Sequence, residues 1–310
     1  MVYTVTFNPA LDYVVFVNNM KFREVNKIEK ALVQAGGKGI NVSMVLSELG
    51  VESRAMGFVA GFTGEAIEQS VREHGIDADF VHLESGLSRI NIKLKSDGET
   101  ELNANGPVIS DKALKELFER FEDLENGDVL VLAGSVPSSL PSNIYEQILE
   151  YVSAKKVITV IDASGELLTE TLKYKPYLIK PNLDEIGEIF GEKPTSRDEV
   201  IICAQHLQEM GAQNVLVSMA GDGALLLDSQ GDVRYCAACE GSVVNSVGAG
   251  DAMVAGFVSG ILDKDVDFEY ALMLGTAAGG ATAFSEGLAD KKHIIEQMKV
   301  LLKRHAAETA

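Results

Sequence analysis

The chain has 310 residues, enough for one large or two modest domains, and its 46% hydrophobic content is that of an ordinary globular protein. A formal net charge of −19 argues against nucleic acid or an anionic membrane as partner, and it obliges any anionic ligand to find a local cationic site. Three cysteines cannot form a disulfide framework, no apolar run reaches the roughly 18 residues of a membrane span, and the chain opens without a secretory signal, so a cytoplasmic protein is expected.

The first six residues after Met1 read as a strand, and Asn8-Pro9-Ala10 follows as a turn. Period-two patterns at 11–17 and 28–33 predict two more strands. Gly36-Gly37-Lys38-Gly39-Ile40-Asn41 then leads into an amphipathic helix carrying Val42, Val45, Leu46 and Leu49. Residues 89–94 and 100–102 alternate again around Asp97-Gly98, a hairpin turn signal. Segments 12–34 and 87–105 therefore predict a small sheet inserted as a lid over a site, with plain edge hairpins as the other reading.

From about residue 128 the pattern changes to apolar runs alternating with helices. Runs at 129–133, 157–161, 177–180 and 215–218 are of the buried parallel-strand type, with helices expected around 142–154, near 165–173 and after Asn182. Repeated βαβ units imply a mostly parallel sheet covered on both faces, with ligands bound beyond the carboxyl ends of the strands. One α/β domain spanning 1–310 accounts for this order. Cys236-Ala237-Ala238-Cys239 has redox or metal spacing, but no second pair accompanies it and the preceding residues read as strand.

Asn245-Ser246-Val247-Gly248-Ala249-Gly250-Asp251 precedes an apolar helix and is the most informative stretch. A helix start collects anions, because its first N–H groups lack partners and the dipole is positive there. Glycines let a phosphate approach the backbone. Asp251 would repel that phosphate, unless it accepts a proton from a hydroxyl attacking it. An ordinary helix start with an acidic first turn is the alternative. Lys38 at the start of the earlier helix makes a second anion site, if its glycine-rich turn is more than a solvated loop. Arg89 and Asn91 share one strand face, suited either to a phosphate and a sugar hydroxyl or to solvent. Asp12 follows a strand turn and has two oxygens for hydroxyls. Asn182 and Glu185 have the spacing of a capping box and also the oxygen chemistry of a hydrated Mg²⁺ site.

In order and spacing, the segments beginning at Asn8, Gly36, Ser88, Ala133, Asp162, Lys180, Ser218 and Val247 resemble the ribokinase-like (PfkB) family of sugar kinases over essentially the whole chain. Ala133 stands where serine is more usual, which removes one hydroxyl and leaves Ser135. The resemblance implies a three-layer ribokinase-like fold with a small β-sheet lid, ATP as phosphoryl donor and Mg²⁺ as its companion ion. It implies Asp251 as general base, with the N–H groups of Gly248, Ala249 and Gly250 as an anion hole. Lys38, Arg89 and Ser135 would hold an existing substrate phosphate, and Asp12, Gly37, Asn41 and Asn91 the sugar hydroxyls. Lys180, Asn182 and Gly250 would face the nucleotide phosphates, Glu185 the magnesium water shell, and residues 218–223, with Ser218, Gly221 and Gly223, the nucleotide; the helix around 275–280 would lie beside the adenine. The phosphosugar branch fits best, implying fructose 1-phosphate as acceptor and fructose 1,6-bisphosphate as product. Tagatose 6-phosphate is the alternative acceptor, and a non-catalytic phosphosugar sensor the rival class. A homodimer through the lid is expected, because a small sheet exposes an edge.

Overall fold

The computed structural model describes residues 1–262 and 266–308. The chain starts with strands β1 (Val2–Thr6), β2 (Ala10–Phe16) and β3 (Lys30–Gly36), followed by helix α1 (Lys38–Leu49). Strand β4 (Ser53–Ala60), helix α2 (Gly61–Glu73) and strand β5 (Asp77–Leu83) precede a hairpin of β6 (Arg89–Lys95) and β7 (Glu99–Leu102). Helix α3 (Asp111–Arg120), β8 (Val129–Ala133), α4 (Ile144–Val152), β9 (Ile158–Asp162) and α5 (Gly165–Thr169) come next. They lead to β10 (Leu178–Ile179), α6 (Leu183–Phe190), α7 (Arg197–Met210) and β11 (Asn214–Ser218). Strands β12 (Ala224–Leu227) and β13 (Val233–Cys236) then precede α8 (Ala249–Ile261), α9 (Phe268–Ala283) and α10 (Lys291–Glu308).

Nine strands form one sheet in the order β13-β12-β11-β10-β9-β8-β1-β4-β5. All neighbours from β11 to β5 are parallel, and only the β11–β12 and β12–β13 pairings, at one edge, are antiparallel. The runs at Val129–Ala133 and Asn214–Ser218 are apolar because both faces of those strands are covered. Side chains from α3, α4 and α7 pack one face, including Leu117, Ile148 and Leu207. Those from α1, α8, α9 and α10 pack the other, including Val45, Phe257, Ala277 and Ile294. The result is the three-layer α/β arrangement expected from the alternation.

Strand order reverses at β1. The chain proceeds from β1 through β4 to β5 on one side, then returns to add β8 on the other. The crevice beyond the carboxyl ends of β1 and β8 is thus a topological switch point, the usual ligand position in an open α/β sheet.

A second sheet of four strands, in the order β3-β2-β6-β7, is built from the two segments whose period-two patterns set them apart. The strands are shifted slightly from the expected bounds: β2 spans Ala10–Phe16 rather than 11–17, and β3 spans Lys30–Gly36 rather than 28–33, ending at the edge of α1. Its two faces differ sharply. Asp12 pairs with Asn91 and Gln34 on one face, while Tyr13 pairs with Val33 and Ile92, and Ile92 with Leu102, on the other. Period-two alternation has therefore sorted a polar face from an apolar one.

Candidate active site

Two helix N-termini meet at the switch point. Helix α1 is entered through Gly37 at φ 126°, and α8 through Gly248 at φ 81°, a left-handed conformation that a side chain would disfavour. Neither N-cap residue caps its helix with a side chain, although in α1 the Ile40 amide donates to Thr6 Oγ1 at 3.0 Å. At α8 the Ala249 amide donates to the Ser246 carbonyl at 3.2 Å. The amides of Gly248, Gly250 and Asp251 have no acceptor among the described residues.

Asp251 lies in the first turn of α8, as expected, and is 6% exposed. Asn41, one turn into α1, donates through Nδ2 to its Oδ2 at 2.7 Å, so the two anion-receptive helix starts are joined at the carboxylate. Burial raises the Asp251 pKa to about 6, with Asp162 adding to the rise while Lys38, Asn41 and Lys180 oppose it. Such a group is ionised at neutral pH yet basic enough to take a proton.

Asp162 stands at the carboxyl end of β9, and its motif alone gives it no role. It is fully buried, and its Oδ1 lies 3.2 Å from Lys38 Nζ and 3.4 Å from Lys180 Nζ. Burial raises its pKa, but the two ammonium groups outweigh that and hold it below the usual carboxylate range. Burial likewise lowers the Lys38 pKa, while Asp162, Asp251 and Glu185 more than compensate and keep it above the ordinary lysine value. Lys180 is almost wholly buried, and a Cβ added to Gly250 would stand 3.3 Å from its Nζ. Gly250 thus leaves room for the ammonium beside the α8 amides.

A cleft of about 920 Å³ opens beside this cluster. Gly37, Lys38, Arg89, Ser135 and Glu185 line it, which brings together most of the residues assigned to a phosphorylated ligand. Tyr145, buried in the core, donates to the Gly134 carbonyl at 2.9 Å and so fixes the turn that carries Ser135. Arg89 donates to the Asn8 carbonyl at 3.1 Å, but among the described residues it has no carboxylate within ion-pair distance. Burial lowers its pKa, with Asp12 opposing, as fits a cation lacking an anion. Glu146, Glu166 and Glu170 also line the cleft, and Lys173 pairs with Glu146 and stands 3.9 Å from Glu170. A neighbouring cavity of about 380 Å³ is lined by Asp12, Asn41, Lys93 and Asn245. Lys93, which the sequence reading missed, lies 3.0 Å from Asp12. The signal was present: Lys93 follows Asn91 by two residues and so shares its strand face.

Asn182 and Glu185 form the capping box of α6, with Glu185 N–H donating to Asn182 Oδ1 at 2.9 Å and Asn182 N–H to Glu185 Oε2 at 2.8 Å. Ser218 is bridged to Asn182, while Gly221 and Gly223 lie further along the turn between β11 and β12. Cys236 ends β13, and Cys239 Sγ donates to the Thr276 carbonyl of α9 at 3.6 Å, with burial pushing its thiol up to about 12. Among the described residues, no group of histidine, cysteine and acidic side chains has the arrangement of a metal centre, and no helix is long and apolar enough to cross a membrane.

Residues 5–294 match the pfkB family of carbohydrate kinases. The chain belongs to this family. Over 95% of its length it is 46% identical to 1-phosphofructokinase of Bacillus subtilis, of which it covers 96%. It is 40% identical to D-tagatose-1-phosphate kinase of Bacillus licheniformis, over 94% of this chain and 95% of that protein. The structure of Escherichia coli phosphofructokinase-2 with substrates and products superposes with a TM-score of 0.90 at 25% identity, covering 97% of this chain and 99% of that one. Fold and family thus agree with the order of motifs in the chain.

Proposed function

We propose that this pfkB-family member transfers the γ-phosphoryl group of ATP to fructose 1-phosphate, giving fructose 1,6-bisphosphate and ADP. The observation that carries the reading is the buried Asp251, held by Asn41 where two helix N-termini converge. Two anion-receptive ends suit a donor phosphate and an acceptor phosphate, and the carboxylate lies between them. The acceptor hydroxyl loses its proton to Asp251 as its oxygen attacks the γ-phosphorus; the bond to the β-bridging oxygen breaks, and ADP departs. The α8 amides offset charge on the transferring group, and Lys180 offsets charge on the nucleotide phosphates. Lys38, Arg89 and Ser135 hold the acceptor phosphate, while Asp12, Asn41 and Asn91 receive its hydroxyls. Ser218 and the turn with Gly221 and Gly223 border the nucleotide.

Magnesium fits the residues present. Asp162 Oδ2 is a buried oxygen without a hydrogen-bond partner, and Glu185 has spent one of its oxygens on the capping box. Asp162, Glu185 and Asn182 would hold the ion, largely through water, where it would supply charge neutralisation to the ATP phosphates.

The 40% identical relative named for tagatose 1-phosphate makes that sugar the alternative acceptor. It replaces the tagatose 6-phosphate of the sequence reading. A non-catalytic sensor is disfavoured, since it would not need the intact Asp251. The four-stranded sheet acts as a lid inserted in a single kinase domain, and its outer apolar face, with Val33 63% and Leu102 59% exposed, supports pairing with a second copy of the chain. Cys203, Cys236 and Cys239 form no disulfide among the described residues, which supports a reducing, cytoplasmic setting. A coupled ADP-release assay over a panel of phosphosugars tests the reading. Turnover should be highest with fructose 1-phosphate, and no turnover with any phosphosugar would sink it.

A further inference from the structure

The polar face of the lid contains an arrangement that substrate contact alone does not require. Asp12 is enclosed on three sides. Its Oδ2 lies 3.0 Å from Lys93 Nζ, and its Oδ1 accepts from Asn91 Nδ2 at 2.9 Å. Asn91 is itself oriented, because its Oδ1 accepts from the Ala104 amide at 3.3 Å. On the third side is Gly36, where an added Cβ would stand 2.8 Å from Asp12 Oδ2. Lys93 has 10% and Asp12 16% of the side chain exposed, so this pair is shielded from the solvent that weakens a surface ion pair. A carboxylate on an exposed strand has several rotamers, and this one is confined.

We infer that Lys93 is a positioning residue that fixes the Asp12 carboxylate, and that this fixation sets which hydroxyl configuration the lid accepts. The inference rests on Asp12 as a receiver of acceptor hydroxyls. A fixed acceptor distinguishes sugars differing at a single carbon, because the wrong epimer leaves a buried polar group unpaired. A mobile carboxylate follows either configuration and forfeits the distinction. Lys93 joins Asp12 from β6 and Gly36 borders it from β3, so the neighbours of β2 in the lid sheet form the mould together.

The test compares the natural protein with Lys93→Met, Lys93→Arg and Gly36→Ala, measuring kcat and KM for fructose 1-phosphate, for its C4 epimer tagatose 1-phosphate, and for ATP. Lys93→Met should raise the KM of the preferred phosphosugar about tenfold and leave the ATP KM within about twofold. Its ratio of kcat/KM between the two epimers should fall toward one. Lys93→Arg should restore most of that ratio. Gly36→Ala, which crowds the same carboxylate while keeping Lys93, should lower it. A Lys93→Met protein that turns over but keeps the natural epimer ratio overturns the inference, as does one whose ATP and sugar KM values rise in step. Failure of the natural protein on both phosphosugars instead overturns the proposed function, and this inference with it.

Discussion

On the proposed reading, one side chain, Asp251, carries the proton transfer of the reaction. Its pKa is raised because burial and Asp162 disfavour its charge, and the raised value makes it a better base than an exposed aspartate. Activity requires the ionised form, so kcat/KM should fall about tenfold per pH unit below about 6; a flat profile from pH 7 to 5 would remove Asp251 as the base. Asp251→Asn should lower kcat by about a thousandfold or more while isothermal titration finds both ligands still bound. The same shift acts on stability with a definite sign. A folded pKa above the unfolded one means that ionised Asp251 opposes folding at neutral pH, and that this opposition fades as pH falls through about 6. Asp251→Asn should therefore melt higher than the natural protein at pH 7.5, with the difference shrinking toward pH 5. The acid and its glycines were legible in the chain because four consecutive residues specify the turn. Asp162 and Lys93 were not given roles, because each acts through a partner far away in sequence: Asp162 through Lys38 and Lys180, Lys93 through Asp12.

Elements place these residues, and small changes at their ends should show it. Gly248 adopts a left-handed conformation, and an added Cβ would stand 2.7 Å from Leu288 Cδ2. Gly248→Ala should cost about 1–2 kcal/mol in chemical unfolding and lower kcat more than either KM, since the α8 amides are displaced. The lid makes a different prediction. Val33, Tyr13, Ile92 and Leu102 form one cross-strand row on its outer face, and charge within that row would oppose burial against a second copy. Ile92→Glu should shift the protein from dimer to monomer in light scattering; a natural protein that is already monomeric at micromolar concentration rules out the lid dimer. Strand existence in the lid was readable because its alternation is period two, and its pairing was not. The parallel contact between β2 and β6 joins residues nearly eighty positions apart, and no local pattern encodes it. The sequence left the choice between a cap and a metal ligand open at Asn182 and Glu185, because the same spacing serves both. The structure has the cap, which leaves one Glu185 oxygen for other work.

At the scale of the whole molecule, the βαβ alternation implied the parallel sheet, and the reversal at β1 explains why eight separated motifs converge. Their order along the chain was legible; the position of the reversal was not, because it depends on which side of β1 the later strands join. Charge is distributed with the same economy. The chain as a whole carries a net charge of −19, yet Lys38, Arg89, Lys93 and Lys180 gather around the site. The cleft that holds Lys38 and Arg89 is also lined by Glu166 and by Glu146 and Glu170, which share Lys173. An anionic metabolite approaches a chain of net charge −19 through a repelling field before it meets the cations of the site, so arrival responds to salt more than retention does. Modest salt should speed association by shielding the distant acids, while the buried lysines, less accessible to counterions, keep their hold. In stopped-flow binding, the association rate for fructose 1-phosphate should rise between about 0.01 and 0.1 M ionic strength, as the screening length contracts from about 30 to 10 Å. The chain's net negative charge would thus act as a toll on entry, making the arrival rate follow the ionic strength of the surroundings.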